Sequence, residues 1–179
     1  MLRPFFWSSG EFVSDQAAFH EGGCACGHVR YRMESQPMIV HCCHCSWCQR
    51  QNGSAFAVNA LIEADRVQIL QGDVVAVTVP SPSGKNQRIA RCPKCQVAVW
   101  SYYLAMQGPV GDLVRFIRVG TLDNPGRVPP DVHIYTSTKA PWLTLPPGAL
   151  VVDEFYNIDE VWSEESLRRR QALSQAARS

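Results

Sequence analysis

Short apolar runs with polar alternation, broken by turn residues, fill most of the chain between Gly22 and Tyr156. Residues 29–33, 38–42, 54–62, 67–70, 74–79, 89–91, 97–102, 114–120 and 132–135 each fit a strand, being rich in valine, isoleucine and aromatic residues. Between them stand Gly-Asp, Pro-Ser-Pro-Ser-Gly and Asp-Asn-Pro-Gly. These residues turn the chain for separate reasons: glycine accepts positive φ, proline presets φ, and Asp and Asn side chains bond to nearby backbone. Many short strands without strand–helix alternation predict an all-β fold.

Helical character is expected only in the tail, over residues 159–177. Asp159 or Ser163 would cap it, glutamates fill its early turns, and Arg168, Arg169 and Arg170 come later, as the helix dipole favours. Its apolar stripe is thin, so the tail reads as frayed or docked on a partner. The pattern divides the chain into an N-terminal extension (1–21), a β domain (22–156) and a helical tail (157–179).

A chain of 179 residues with a net charge of +1 is long enough to bury a real core as one domain. The near-neutral balance counts against a nucleic-acid partner, which calls for a basic surface. No apolar run has membrane-spanning length. Phe5-Phe6-Trp7 is cut off by Ser8, Ser9 and Gly10 too early to be the apolar region of a signal peptide. A soluble, cytoplasmic protein is expected, and a homo-oligomer is compatible with these numbers.

The eight cysteines change the picture most: Cys24, Cys26, Cys42, Cys43, Cys45, Cys48, Cys92 and Cys95. A disulfide framework belongs to small exported domains that lack a core of their own, and neither condition fits. The spacings C-x-C, C-x-C-x-x-C and C-x-x-C instead let several sulfurs converge on one ion. Cys24-Ala25-Cys26 with Cys92-Pro93-Lys94-Cys95 would form a closed four-thiolate zinc site that staples the first strand to the central hairpin. Cys43, Cys45 and Cys48 would occupy three corners of a second tetrahedron and leave the fourth open.

Zinc on three thiolates carries net negative charge and activates water poorly. It suits a different task, holding an incoming thiol as a nucleophilic thiolate. A second structural site is the competing reading, with Cys42, His41 or an inward-turned His44 as fourth ligand. Strand alternation should turn both Cys42 and His44 away from that loop's metal, leaving Cys42 as a small buried apolar residue.

Taken in order, Gly23-Cys24-Ala25-Cys26-Gly27-x-Val29-Arg30-Tyr31, Cys43-His44-Cys45-x-x-Cys48-x-Arg50-x-x-Gly53-Ser54-Ala55-Phe56 and Cys92-x-x-Cys95 resemble the glutathione-dependent formaldehyde-activating enzyme family, which also contains centromere protein V. Gly120-Thr121-Leu122-Asp123-Asn124-Pro125, His133-Ile134-Tyr135 and Lys139-Ala140-Pro141-Trp142 fit the same pattern. The resemblance implies a β-tent fold of short antiparallel sheets leaning on a structural zinc held by Cys24, Cys26, Cys92 and Cys95. It also implies a catalytic zinc on Cys43, Cys45 and Cys48, hence two zinc ions per chain. The implied reaction joins glutathione and formaldehyde into S-hydroxymethylglutathione. Two positions depart from the family: Gln49 stands where Arg or Lys often follows the third cysteine, and Gln96 where glycine usually permits a tight turn.

Arg50 and Lys139 are candidates to meet a substrate's carboxylates. His133 is a candidate to orient a ligand or shuttle a proton, and as a structural histidine it would need neither role. Trp47 and Trp142 would wall a pocket or simply fill a core. The leading reading is a zinc-dependent carbon–sulfur lyase acting on a thiol–aldehyde adduct, with a small thiol such as glutathione as partner. The alternative is a non-catalytic, zinc-stabilised binding module that uses a sheet face or the Arg168–Arg170 stretch.

Overall fold

A computed structural model of the chain describes residues 19–104 and 109–177. Most of the expected N-terminal extension, residues 1–18, lies outside the described residues. The architecture is all-β with a C-terminal helix, as the apolar pattern predicts. Among the described residues ten strands form two sheets: β1 (His20–Gly23), β2 (Arg30–Met33), β3 (Ile39–Cys43), β4 (Ala57–Glu63), β5 (Val67–Gln71), β6 (Val75–Val79), β7 (Gln87–Arg91), β8 (Ala98–Tyr103), β9 (Val114–Arg118) and β10 (Val132–Ile134). The smaller sheet has the order β1-β2-β5, the larger β10-β3-β4-β9-β8-β7-β6. Every pair is antiparallel except β10 on β3, which is parallel. That pair departs from the expected antiparallel pattern because the long connection after β9 brings β10 back in the direction of β3.

Two elements escaped the sequence pattern. β1 begins at His20, inside the stretch read as extension. The three-cysteine loop runs into a helix, α1 (Ser46–Asn52). Cys45 caps its first turn, its Sγ accepting from the Cys48 amide, and Gly53 ends it at φ 61°, in the left-handed region where a Cβ is penalised.

Period-two alternation gives the large sheet two buried faces. Val40, Ala60, Ile117 and Trp100 face the small sheet and meet Val29, Tyr31 and Met33. Tyr31 is fully buried, sets its ring edge-on to Trp100 at 5.6 Å, and shares a 2.6 Å hydrogen bond with Thr121. Gly22 is required at this contact, since a Cβ there would lie 2.5 Å from the Thr121 carbonyl oxygen. Ile39, Leu61 and Val114 face the other way, toward α2 (Ile158–Val161), Trp162 and α3 (Glu164–Ala176).

The tail packs on the domain itself. Ser163 caps α3, Ser166 donates to the Met38 carbonyl, and Arg169 forks onto the buried Glu63. Buried polar anchors do the work that the thin apolar stripe could not reveal.

Candidate active site and metal centres

The two cysteine pairs distant in sequence meet at the tips of two hairpins. Cys24 and Cys26 lie on the β1–β2 turn, where Gly27 takes φ 75°. Cys92 and Cys95 lie on the β7–β8 turn, where Gln96 takes φ 60° in the place that favours glycine. The four Sγ atoms lie within 4.8 Å of one another, with Cys24–Cys26 at 3.5 Å and Cys26–Cys92 at 3.7 Å. Sulfurs about 2.3 Å from a tetrahedral zinc stand about 3.8 Å apart, so this donor set fits the ion. The Val29 amide donates to Cys24 Sγ at 3.2 Å. Burial raises the Cys24 thiol, but that amide and the neighbouring sulfurs outweigh it and bring it down to about 6.

The second group comes from one stretch of chain. Cys43 ends β3 and is buried, Cys45 caps α1, and Cys48 lies one turn on, so all three Sγ atoms converge within 4.8 Å. Cys43 and Cys45 stand 3.5 Å apart. The Cys43 and Cys48 thiols hydrogen-bond to Cys45 and, with the Cys48 and Trp47 amides, hold it far below the usual thiol range. The same contacts push Cys43 up, so one thiolate among three is favoured even before any cation arrives.

A third group sits on the opposite face of β3. Cys42, His44 and His133 are all buried, with donor atoms within 4.8 Å of one another. Here alternation acts as expected, turning Cys42 and His44 away from the three-cysteine loop. His133 pairs with Cys42 across β10–β3, and its Nδ1 lies 3.0 Å from His44 Nε2. His44 Nε2 also lies 3.5 Å from Cys42 Sγ. Burial pushes the Cys42 thiol up to about 12 and draws His44 down to about 4, so both are neutral at pH 7.

A cavity of about 480 Å³ opens beside Cys43, Cys45 and Cys48. Its floor is one face of the large sheet, because strand register puts His41 and Cys43 of β3, Asn59 and Leu61 of β4, and Phe116 and Arg118 of β9 side by side. Ile134, Tyr135, Phe155, Ile158 and Trp162 close it from the side of the tail. Tyr135 holds φ 56°, a left-handed conformation that costs a non-glycine residue roughly 1–2 kcal/mol. Trp162 donates to the Tyr156 hydroxyl at 2.7 Å, which leaves that hydroxyl to donate to His41 Nε2. Burial draws His41 down to about 4, so it is a neutral acceptor there.

Arg118 is the residue the sequence reading missed. It is 8% exposed, and its Nη1 donates to Asn59 Oδ1 at 2.6 Å. Its Nε is buried without a partner, and no carboxylate pairs with it among the described residues. Burial lowers its pKa, and the charges of Cys48 and Cys43 oppose that. The signal was a cation in phase with Val114 and Phe116 on a strand whose buried face is otherwise apolar.

Of the expected substrate contacts Arg50, Lys139 and His133, none lines this cavity. Arg50 is exposed on α1, Lys139 Nζ is tied to the carbonyls of Ala140 and Leu143, and His133 belongs to the third group. Trp47 lines the cavity, whereas Trp142 is 74% exposed and stands apart from it. Gln49 donates to the carbonyls of His44 and Thr138, bracing the loop rather than offering charge.

With this geometry, residues 19–138 match the family model described as glutathione-dependent formaldehyde-activating enzyme. The chain belongs to that family. A provisionally named glutathione-dependent formaldehyde-activating enzyme of Halomonas elongata is 26% identical over 129 residues, covering 70% of this chain and 80% of that protein. A crystal structure of a Rhodobacter sphaeroides protein overlaps with a TM-score of 0.40 and 15% identity, covering 57% of this chain and 87% of that one. That likeness is too slight to bear on fold or function. The cysteine groups offer soft donors that suit zinc. No helix among the described residues is long and apolar enough to cross a membrane.

Proposed function

We propose that this protein catalyses reversible carbon–sulfur bond formation between a thiol and an aldehyde, with two zinc ions per chain. One, on Cys24, Cys26, Cys92 and Cys95, braces the fold; the other, on Cys43, Cys45 and Cys48, serves the chemistry. The observation that carries this reading is the three-sulfur cluster in the wall of a cavity that can admit a fourth donor. When bound there, zinc would supply a site at which an incoming thiol is held as thiolate.

The chain's own residues supply the rest. Cys43, Cys45 and Cys48 set the position of the incoming sulfur, with Cys45 anchored by the Cys48 amide at the start of α1. Arg118 brings positive charge to a cluster that would otherwise bury excess negative charge. Leu61, Phe116 and Ile134 keep water from the reacting atoms. In the forward direction the sulfur–carbon bond forms, the carbonyl π bond opens onto oxygen, and the thiol's proton ends on that oxygen. No electrons are gained or lost overall. Family membership supports glutathione and formaldehyde as the first pair to assay.

The test is calorimetric titration of glutathione into protein of measured zinc content, beside a Cys45→Ala protein. Saturable binding by the wild type, with one zinc and all binding lost from the variant, is the expected result. A Cys45→Ala protein that kept both metals and bound the thiol would overturn the assignment. The alternative of a tail-driven binding module is weakened by Arg169, which is committed to Glu63 inside the molecule.

A further inference from the structure

The charge inventory of the cavity beside Cys43, Cys45 and Cys48 bears on which thiol it takes. Glutathione carries two carboxylates and an ammonium group, so a site shaped for it needs at least one cation free to pair. Among the described residues, Arg118 is the only cationic side chain in the wall. It lies within electrostatic reach of Cys43 and Cys48, and one of its nitrogens is bound to Asn59. Three thiolates around a divalent ion sum to one negative charge, which one guanidinium offsets. With that charge offset, a substrate carboxylate would meet no net positive charge among the described residues of the wall, although Arg118 Nε has no protein partner.

The one acidic residue of the wall among the described residues works in the same direction. Glu154 receives a hydrogen bond from Ser137 at the rim and would repel an anion at the mouth. His41 Nε2 is already engaged by the Tyr156 hydroxyl, so that nitrogen is not free for a substrate carboxylate. Arg50 and Lys139, the cations that sequence reasoning put forward for carboxylates, are absent from the lining. Most of the remaining lining is apolar or aromatic, with Leu61, Tyr103, Phe116, Ile134 and Phe155 across from the cysteines. An unpaired carboxylate placed against such a wall loses its hydration without compensation, whereas an aromatic ring gains by burial there.

We infer that the sulfur-bearing substrate of this site is an uncharged thiol with an aromatic or bulky aliphatic group, rather than a polar, multiply charged thiol such as glutathione. The inference rests on the proposed thiol site at Cys43, Cys45 and Cys48. The organic group lies along the sheet face between Leu61 and Phe116, and the sulfur meets the cysteine cluster. The bond changes are those already given: sulfur joins the aldehyde carbon, and the thiol's proton passes to the oxygen.

The experiment compares 2-phenylethanethiol with glutathione by calorimetry on the zinc-loaded full chain, with zinc-loaded Phe116→Gln as a second protein. The aromatic thiol is expected to bind the wild type at least tenfold more tightly, and Phe116→Gln should shrink that ratio several-fold while zinc content stays unchanged. Equal or tighter binding of glutathione would overturn the inference and leave the thiol site standing. Failure of both thiols to bind, with two zinc ions present, would instead refute the thiol site itself. An unchanged ratio in Phe116→Gln would overturn the placement of the organic group on the sheet face.

Discussion

Replacing Arg169 with Met tests whether the tail is part of the domain. Arg169 Nε and Nη2 reach the two carboxylate oxygens of Glu63 at 2.7 and 2.5 Å, and Nη1 reaches the Gln36 carbonyl at 3.1 Å. The two side chains are only 11% and 6% exposed, so screening by water is slight. Removing one partner of a buried pair typically costs about 3–5 kcal/mol, because the other charge is left stranded. Arg66 stays 3.4 Å from Glu63 but is half exposed, so the loss should fall near the lower end, about 3 kcal/mol.

The pH dependence gives the sign. Burial raises the Glu63 pKa, but the Arg169 hydrogen bonds outweigh it and hold the group below its ordinary value. The wild-type contribution is therefore present above the unfolded pKa of about 4.3 and is lost as pH falls below it. Without Arg169, burial prevails and the folded pKa rises, so the variant's stability falls as pH climbs through that value. Urea melts in zinc-containing buffer should show a larger penalty at pH 7.5 than at pH 5.5. A Glu63→Gln, Arg169→Met double variant should recover a good part of the loss. A penalty under about 1 kcal/mol, or one that grows toward acid, would refute the claim that this pair locks the tail down.

Two further outcomes follow from the geometry. Cys92→Ala removes a fully buried sulfur from the four-cysteine group proposed to hold the bracing zinc, and the variant should lose one zinc and its cooperative transition; a near-wild-type melt with zinc content unchanged would contradict the bracing role. His41, drawn down to about 4 by burial, favours the unfolded state as acid protonates it there first, so it should lower stability by about 1.6 kcal/mol between pH 6.5 and pH 5, in addition to a loss from His44, which burial draws down likewise; His41→Gln should make that part of the profile shallower, and a wild-type stability curve flat over this range would show the reasoning to be wrong.

Much of the fold is legible in the sequence because period-two alternation and turn chemistry are local. Strands β2 to β10 can be read from valine, isoleucine and aromatic spacing, and the cysteine spacing alone points to metal-binding clusters. Spacing also puts Cys42 on the opposite face from Cys43, since adjacent strand residues diverge. Helix α1 escaped because its seven residues lack an apolar stripe, and its cap is a cysteine where Ser, Thr, Asp or Asn is the usual signal.

What only tertiary structure decided is which polar residues turn inward. Arg118 and Arg50 look alike as letters, but β9 lies beside β4 and sets Arg118 against Asn59 near the cysteines, while α1 leaves Arg50 exposed. His133 looked like a substrate contact until the parallel β10–β3 pairing placed it with His44, on the face away from the cavity. The tail's thin apolar stripe read as frayed or docked on a partner, yet Glu63, Met38 and Gln36, distant in sequence, supply its anchors within the chain. Local patterns specify strands, turns and ligand spacing. The charge balance and shape of the cavity depend on register between strands far apart in the chain, which no local pattern encodes.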